Sequence, residues 1–148
     1  FSIIFRSMKS FKYIFILLLI ISCGNNKQPD LELTDPLEIQ ANLLDGKWIL
    51  KNETSATRDG SVVDDFKNLT LTFSGSSNSG GTYSTSNSID IDVWPNSGIW
   101  SFQNNEKSKL LRNDYVIMNI SVTQTTLRIS FSVDGGLKVG NWIFDFIK

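Results

Sequence analysis

Leu44-Asp45-Gly46-Lys47-Trp48-Ile49-Leu50 is the stretch on which the fold turns. Up to Leu44 the apolar residues follow a helical period, and after Gly46 they follow a period of two. Upstream, Asp35-Pro36-Leu37-Glu38 carries a helix start: Asp35 as N-cap, Pro36 in the first helical position, and Glu38 completing a capping box. Leu37, Ala41 and Leu44 then recur at i, i+4, i+7 on one face. These signals predict a helix over 36–44, ended by Gly46 in a left-handed cap.

Downstream the alternation predicts strands. Trp48 and Leu50 alternate with Ile49 and Lys51, and Leu69, Leu71 and Phe73 with Thr70 and Thr72. Ile89, Ile91 and Val93 alternate with Asp90 and Asp92, and Trp100 and Phe102 with Ile99 and Ser101. Leu127, Ile129, Phe131 and Val133 alternate with Arg128, Ser130 and Ser132, and Trp142, Phe144 and Phe146 with Ile143, Asp145 and Ile147. Tyr83 belongs to a shorter strand. Tyr115–Val122 is either buried on both faces or switched from one face to the other by a bulge. Turn residues separate the runs: Asp59-Gly60, Pro95-Asn96-Ser97-Gly98, Asn104-Asn105, Asn113-Asp114 and Asp134-Gly135-Gly136. Ser74–Gly81 is polar and Gly-rich and reads as a mobile loop. About nine short strands at this spacing predict an all-β fold, an up-and-down antiparallel barrel whose closure removes exposed edges. The helix and Trp48 would close its base.

The first third speaks of location. The sequence opens on Phe1, and translation is expected to begin at Met8. Lys9 and Lys12 form a positive segment, and Tyr13–Ile21 is an unbroken apolar run, too short to span a bilayer, which needs about 20 residues. This predicts a signal peptide over 1–22. Ile20-Ile21-Ser22-Cys23 resembles a bacterial lipobox, which implies cleavage before Cys23 and acylation of that residue, the only cysteine in the chain. Residues 23–34 read as a flexible tether and 35–148 as the barrel domain. The implied partner is a membrane, reached through the lipid anchor on the bacterial outer membrane, with the domain facing the periplasm or the surface.

Composition excludes several functions. Lys and Arg number 14, Asp and Glu 15, and there is no histidine. Without His there is no Ser-His-Asp or Cys-His nucleophile system and no His metal ligand. The predicted leader carries Arg6, Lys9 and Lys12 and no acid, so the mature chain keeps 11 basic against 15 acidic residues, net −4. That balance argues against nucleic acid, whose binding relies on cations that neutralise phosphates. Asp64-Asp65 and the Asp90/Asp92 pair are the only carboxylate pairs of interest. The first sits in an expected loop and the second on a solvated strand face, so no catalytic residue, metal or cofactor is assigned.

In order along the chain, Leu44-X-Gly46-X-Trp48-X-Leu50, Gly80-Gly81-Thr82-Tyr83, Gly98-X-Trp100-X-Phe102, Leu110, Tyr115-X-Ile117 and Thr125-Thr126-Leu127 resemble the small lipocalin-like lipoproteins of Bacteroidetes-type bacteria. The resemblance covers about residues 43–133 and implies a lipocalin-like barrel. True lipocalins carry a C-terminal helix where this sequence has Trp142–Ile147, and their strands are longer. Two functional readings follow. In one, Trp48, Leu50, Leu71, Phe73, Tyr83, Trp100, Phe102, Leu127, Ile129, Phe131, Trp142 and Phe144 line a pocket for a small hydrophobic ligand. In the other, the same residues fill a solid core, and the loops Ser74–Gly81 and Pro95–Gly98 present a monomeric interaction module.

Overall fold

Asp35 starts the only α-helix among the described residues of the computed structural model, which cover 34–148. Helix α1 spans Pro36–Leu44, as its start signals predict, and the Asp35 carboxylate accepts from the Leu37 N–H at 2.8 Å. The capping box is half made. Glu38 does not turn back to Asp35; its carboxylate accepts from the Asn78 N–H at 2.8 Å, while Asn78 Nδ2 donates to Asp35 at 2.9 Å. The helix start is thus tied to a hairpin about 40 residues away. Gly46 turns the chain at φ 109°, open to glycine at little cost, and the strands begin.

Ten strands follow: β1 (Gly46–Leu50), β2 (Ala56–Arg58), β3 (Ser61–Val62), β4 (Thr70–Ser77), β5 (Gly80–Ser86), β6 (Ser97–Phe102), β7 (Lys109–Arg112), β8 (Ile117–Val122), β9 (Thr126–Val133) and β10 (Gly140–Ile147). Eight of them, β1 and β4 to β10, pair in sequence order. The pairing of β1 with β10 through Ile49↔Ile147 and Leu50↔Phe146 closes an up-and-down antiparallel barrel. After Leu50 the chain leaves the ladder for five residues and rejoins β10 as β2, carrying the small β2–β3 hairpin with it. The excursion is held by Asn52 Oδ1, which accepts from Thr54 N, Thr54 Oγ1 and Ser55 Oγ.

The long alternations land as read. Along β9 the residues Leu127, Ile129 and Phe131 are buried, and along β10 Trp142, Phe144 and Phe146 are buried. Tyr115–Val122 proves to be one simple face: Met118 and Ile120 are buried while Ile117 and Asn119 are exposed. Two expectations fail. Ser74–Gly81 is not a mobile loop. Strand β4 runs to Ser77 and pairs with Gly80 across a two-residue turn, with a register shift between Ser74 and Ser77. Its polar side chains lie where backbone pairing, not burial, makes the strand. Ile89–Val93 is not a strand either. It is a turn in which Trp94 N and Val93 N donate to Asp90 O, leaving Ile89 and Ile91 in solvent and turning Val93 inward.

Gly98 explains one element of the pattern around Trp100. A Cβ there would stand 2.6 Å from Tyr83 Cε1 and 2.4 Å from Asn113 Oδ1, so β6 can lie against the Tyr83 ring only with no side chain at this position. Because neighbouring strands alternate in direction, the connections fall at two ends. Helix α1, the β4–β5 turn and the β8–β9 turn share one end. The β2–β3 hairpin and loops 87–96, 113–116 and 134–139 share the other.

Candidate functional site: the barrel core and an outer cleft

All twelve residues expected to line a pocket or core are buried in the barrel. At the helix end Trp48 Nε1 donates to Leu44 O at 2.7 Å. The Lys148 ammonium lies 4.5 Å from the centre of the Trp48 ring and donates to Leu43 O and Asp45 O. Those two carbonyls belong to the end of α1, where acceptors are otherwise unmet and a cation is favoured. One lysine thereby fastens the end of β10, the helix terminus and the basal tryptophan.

The opposite end is stoppered by two residues that sequence reading did not single out. Trp94, fully buried, sits edge-on against Phe131 at 5.2 Å, Phe144 at 5.6 Å and Tyr83 at 6.2 Å. Phe66, from the 3-10 turn Asp64–Phe66, meets Trp142 at 5.5 Å and Phe144 at 5.3 Å. Phe131, Phe144 and Trp142 stack along the inner wall, and Trp100 contacts Phe73 and Phe102 edge-on. Rings expected to line a pocket therefore touch one another. Such contacts add about 0.5–1.5 kcal/mol each beyond the area buried.

Arg112 is the third residue missed. It is 1% exposed, with its guanidinium 5.5 Å from the Trp94 ring and 5.4 Å from the Phe131 ring. It donates to Val93 O at 2.9 Å, so it holds the stopper loop from beneath, and it forms a two-pronged ion pair with Asp114. Burial pushes the Asp114 carboxyl up, but the hydrogen bond and charge of Arg112 more than offset this and leave it below the ordinary carboxylate value. Tyr83, whose hydroxyl is buried without a partner among the described residues, has its phenol pushed up by burial, partly countered by the Arg112 charge. Only the Arg-X-Asp spacing of Arg112 and Asp114 hints at this in the sequence. Trp94 carries no signal there because it breaks the alternation of its own segment.

One carboxylate of each pair is engaged in local contacts. Asp90 and Asp92 do not share a strand face: Asp90 Oδ1 accepts from Asp92 N, and Asp90 and Asp65 both bind Lys138 Nζ, at 3.1 and 3.3 Å. Lys138 fastens three loops of the stoppered end, and both carboxylates raise its pKa. No group of three or more His, Cys, Asp or Glu that could hold a metal is found among the described residues. Cys23, the predicted leader and most of the tether lie outside the described residues. Within them no helix is long and apolar enough to cross a membrane.

Among the described residues, clefts open in the outer wall, a smaller and a larger. The smaller, about 360 Å³, lies over Lys51, Ser121, Thr126, Leu127, Arg128, Asp145 and Phe146, and two of its three charges meet in a two-pronged Arg128–Asp145 pair. The larger, about 670 Å³, arises where the β8–β9 ladder stops. The last rung is Asn119↔Ser130, yet β8 continues back to Ile117 and β9 runs on to Val133. The cleft is lined by Asp114, Tyr115, Val116, Ile117, Asn119, Ser130, Phe131, Ser132, Asp134, Asn141, Trp142 and Ile143. Its volume falls within the range of about 300–1,000 Å³ usual for small-molecule sites.

The described residues form a closed eight-stranded antiparallel barrel with one short helix at its base. Comparison with family models, with curated proteins and with solved structures gave no match.

Proposed function

We propose that this chain is a non-enzymatic binding protein of the bacterial outer membrane, a lipocalin-like lipoprotein held by acylated Cys23, whose filled barrel recognises its ligand on the outside. The observation that carries the reading is Trp94. It occupies the barrel end opposite the helix, and it is held there by ring contacts with Phe131 and Phe144 and by a hydrogen bond from Arg112 to the neighbouring Val93 carbonyl. A guest inside the barrel would have to displace this stopper and the rings beneath it. The interior pocket is therefore the weaker of the two readings drawn from the sequence. The domain acts as a monomer, and its acidic balance gives no purchase for nucleic acid.

The anchor is supported by the run Ile20-Ile21-Ser22-Cys23 behind a basic and apolar leader. Cys23→Ser is expected to move the protein from the membrane fraction to the soluble or unprocessed fraction. A processed variant that still sediments with membranes would remove the anchor from the account. The filled core is tested by native mass spectrometry of the purified Cys23→Ser protein. A mass equal to that of the polypeptide alone is expected, and a stoichiometric co-purified lipid would restore the interior-ligand reading.

A further inference from the structure

We infer that the outer cleft between β8 and β9 is a binding site for a neutral oligosaccharide, with Tyr115 as the stacking platform. The inference rests on the outside-recognition reading and names its ligand class. Tyr115 is 86% exposed and adopts φ +67°, a left-handed conformation that a bulky residue rarely takes. The Arg112–Asp114 pair and the Tyr115 N–H to Arg112 O bond fix this turn, and nothing in the core needs the ring. A large aromatic side chain held in solvent at a strained position, on the rim of a cleft, is the arrangement of a ligand contact rather than of a packing residue.

The rest of the lining sets the chemistry. Asn119 and Ser130 are the two sides of the last β8–β9 rung, so their side chains stand side by side on the outer face, an amide next to a hydroxyl. Asp134 adds a carboxylate at the open end, and Ile117 and Ile143 add apolar patches. The lining contains no Lys or Arg, which disfavours phosphates, nucleotides and acidic sugars. Asp114 is already committed to Arg112. The lining is mixed and open to water, so a hydrocarbon chain would leave its amide and hydroxyl groups unmatched. A pyranose matches both halves: its C–H face lies on an aromatic ring, and its hydroxyls donate to and accept from amide, hydroxyl and carboxylate groups.

The test is titration calorimetry of the Cys23→Ser protein with a panel of neutral hexasaccharides, namely cello-, xylo-, manno-, laminari- and chitohexaose. At least one is expected to bind saturably, with affinity reduced about tenfold or more in Tyr115→Ala and Asn119→Ala. Tyr115→Gly relieves the backbone and is expected to hold or raise the melting temperature while losing affinity to the same extent, a split that a structural role for the ring would not give. Absence of binding across the panel, or binding unchanged by Tyr115→Gly, overturns the assignment. Failure here with a lipid-free protein sinks only the ligand class; a lipid found inside the barrel sinks the reading beneath it.

Discussion

Trp94→Ala is expected to destabilise the domain by about 3–5 kcal/mol, the range for deleting a buried aromatic side chain when the surroundings cannot collapse. Collapse is hindered here because Tyr83, Phe131 and Phe144 stand at paired positions of their strands, opposite Phe73, Trp142 and Ile129. The loss also strips one ring from the Arg112 guanidinium and leaves its charge less well covered. Ile91→Ala, three residues away on the same turn but 64% exposed, is expected to stay within about 0.5 kcal/mol of the parent. Urea unfolding of both variants checks the contrast. Equal and small effects would mean that the turn 87–96 lies loosely over the barrel end.

The second large effect concerns Asp114. Asp114→Ala is expected to cost about 2–3 kcal/mol, because it leaves the Arg112 charge buried with only the Val93 carbonyl and two aromatic faces for company. Arg112→Met added to it is expected to recover part of that loss by removing the stranded charge. The pH dependence has a fixed sign. The folded-state carboxyl of Asp114 lies below its ordinary value of 3.8. Its contribution is therefore complete above that value and is lost as pH falls through the lower folded-state pKa. The gap in stability between parent and Asp114→Ala should be wide at neutral pH and should narrow on acidification below about pH 4. A gap that stays constant down to that range would mean that the pair contributes nothing through charge.

Where local chemistry determines structure, the sequence was readable. Asp35 and Pro36 placed α1 to the residue, and the eight-residue strands β9 and β10 announced themselves by uninterrupted alternation. Where a tertiary contact decides, it was not. Asp90 and Asp92 spaced Ile89, Ile91 and Val93 like a strand, but Asp90 accepts backbone bonds from Val93 and Trp94 and coils the segment into a turn, so Trp94 enters the core from a loop. Ser74–Ser77 has no apolar residue to betray a strand, and only the ladder to β5 makes it one. Arg112 looks like a surface residue by composition. Its burial depends on two rings from distant segments and on a carboxylate two positions away. The outer cleft was illegible for the same reason, since it exists because one ladder ends at Asn119↔Ser130.

The central claim is the proposed one, that the barrel holds no guest among its four tryptophans, all of them buried. Brominated palmitate quenches tryptophan by contact and so reads that claim directly. Titrated into the Cys23→Ser protein, it is expected to leave the fluorescence of Trp48, Trp94, Trp100 and Trp142 unchanged apart from a weak, unsaturable collisional slope. Saturable quenching that reaches a plateau at one equivalent would place a hydrocarbon chain among those rings and would contradict the account.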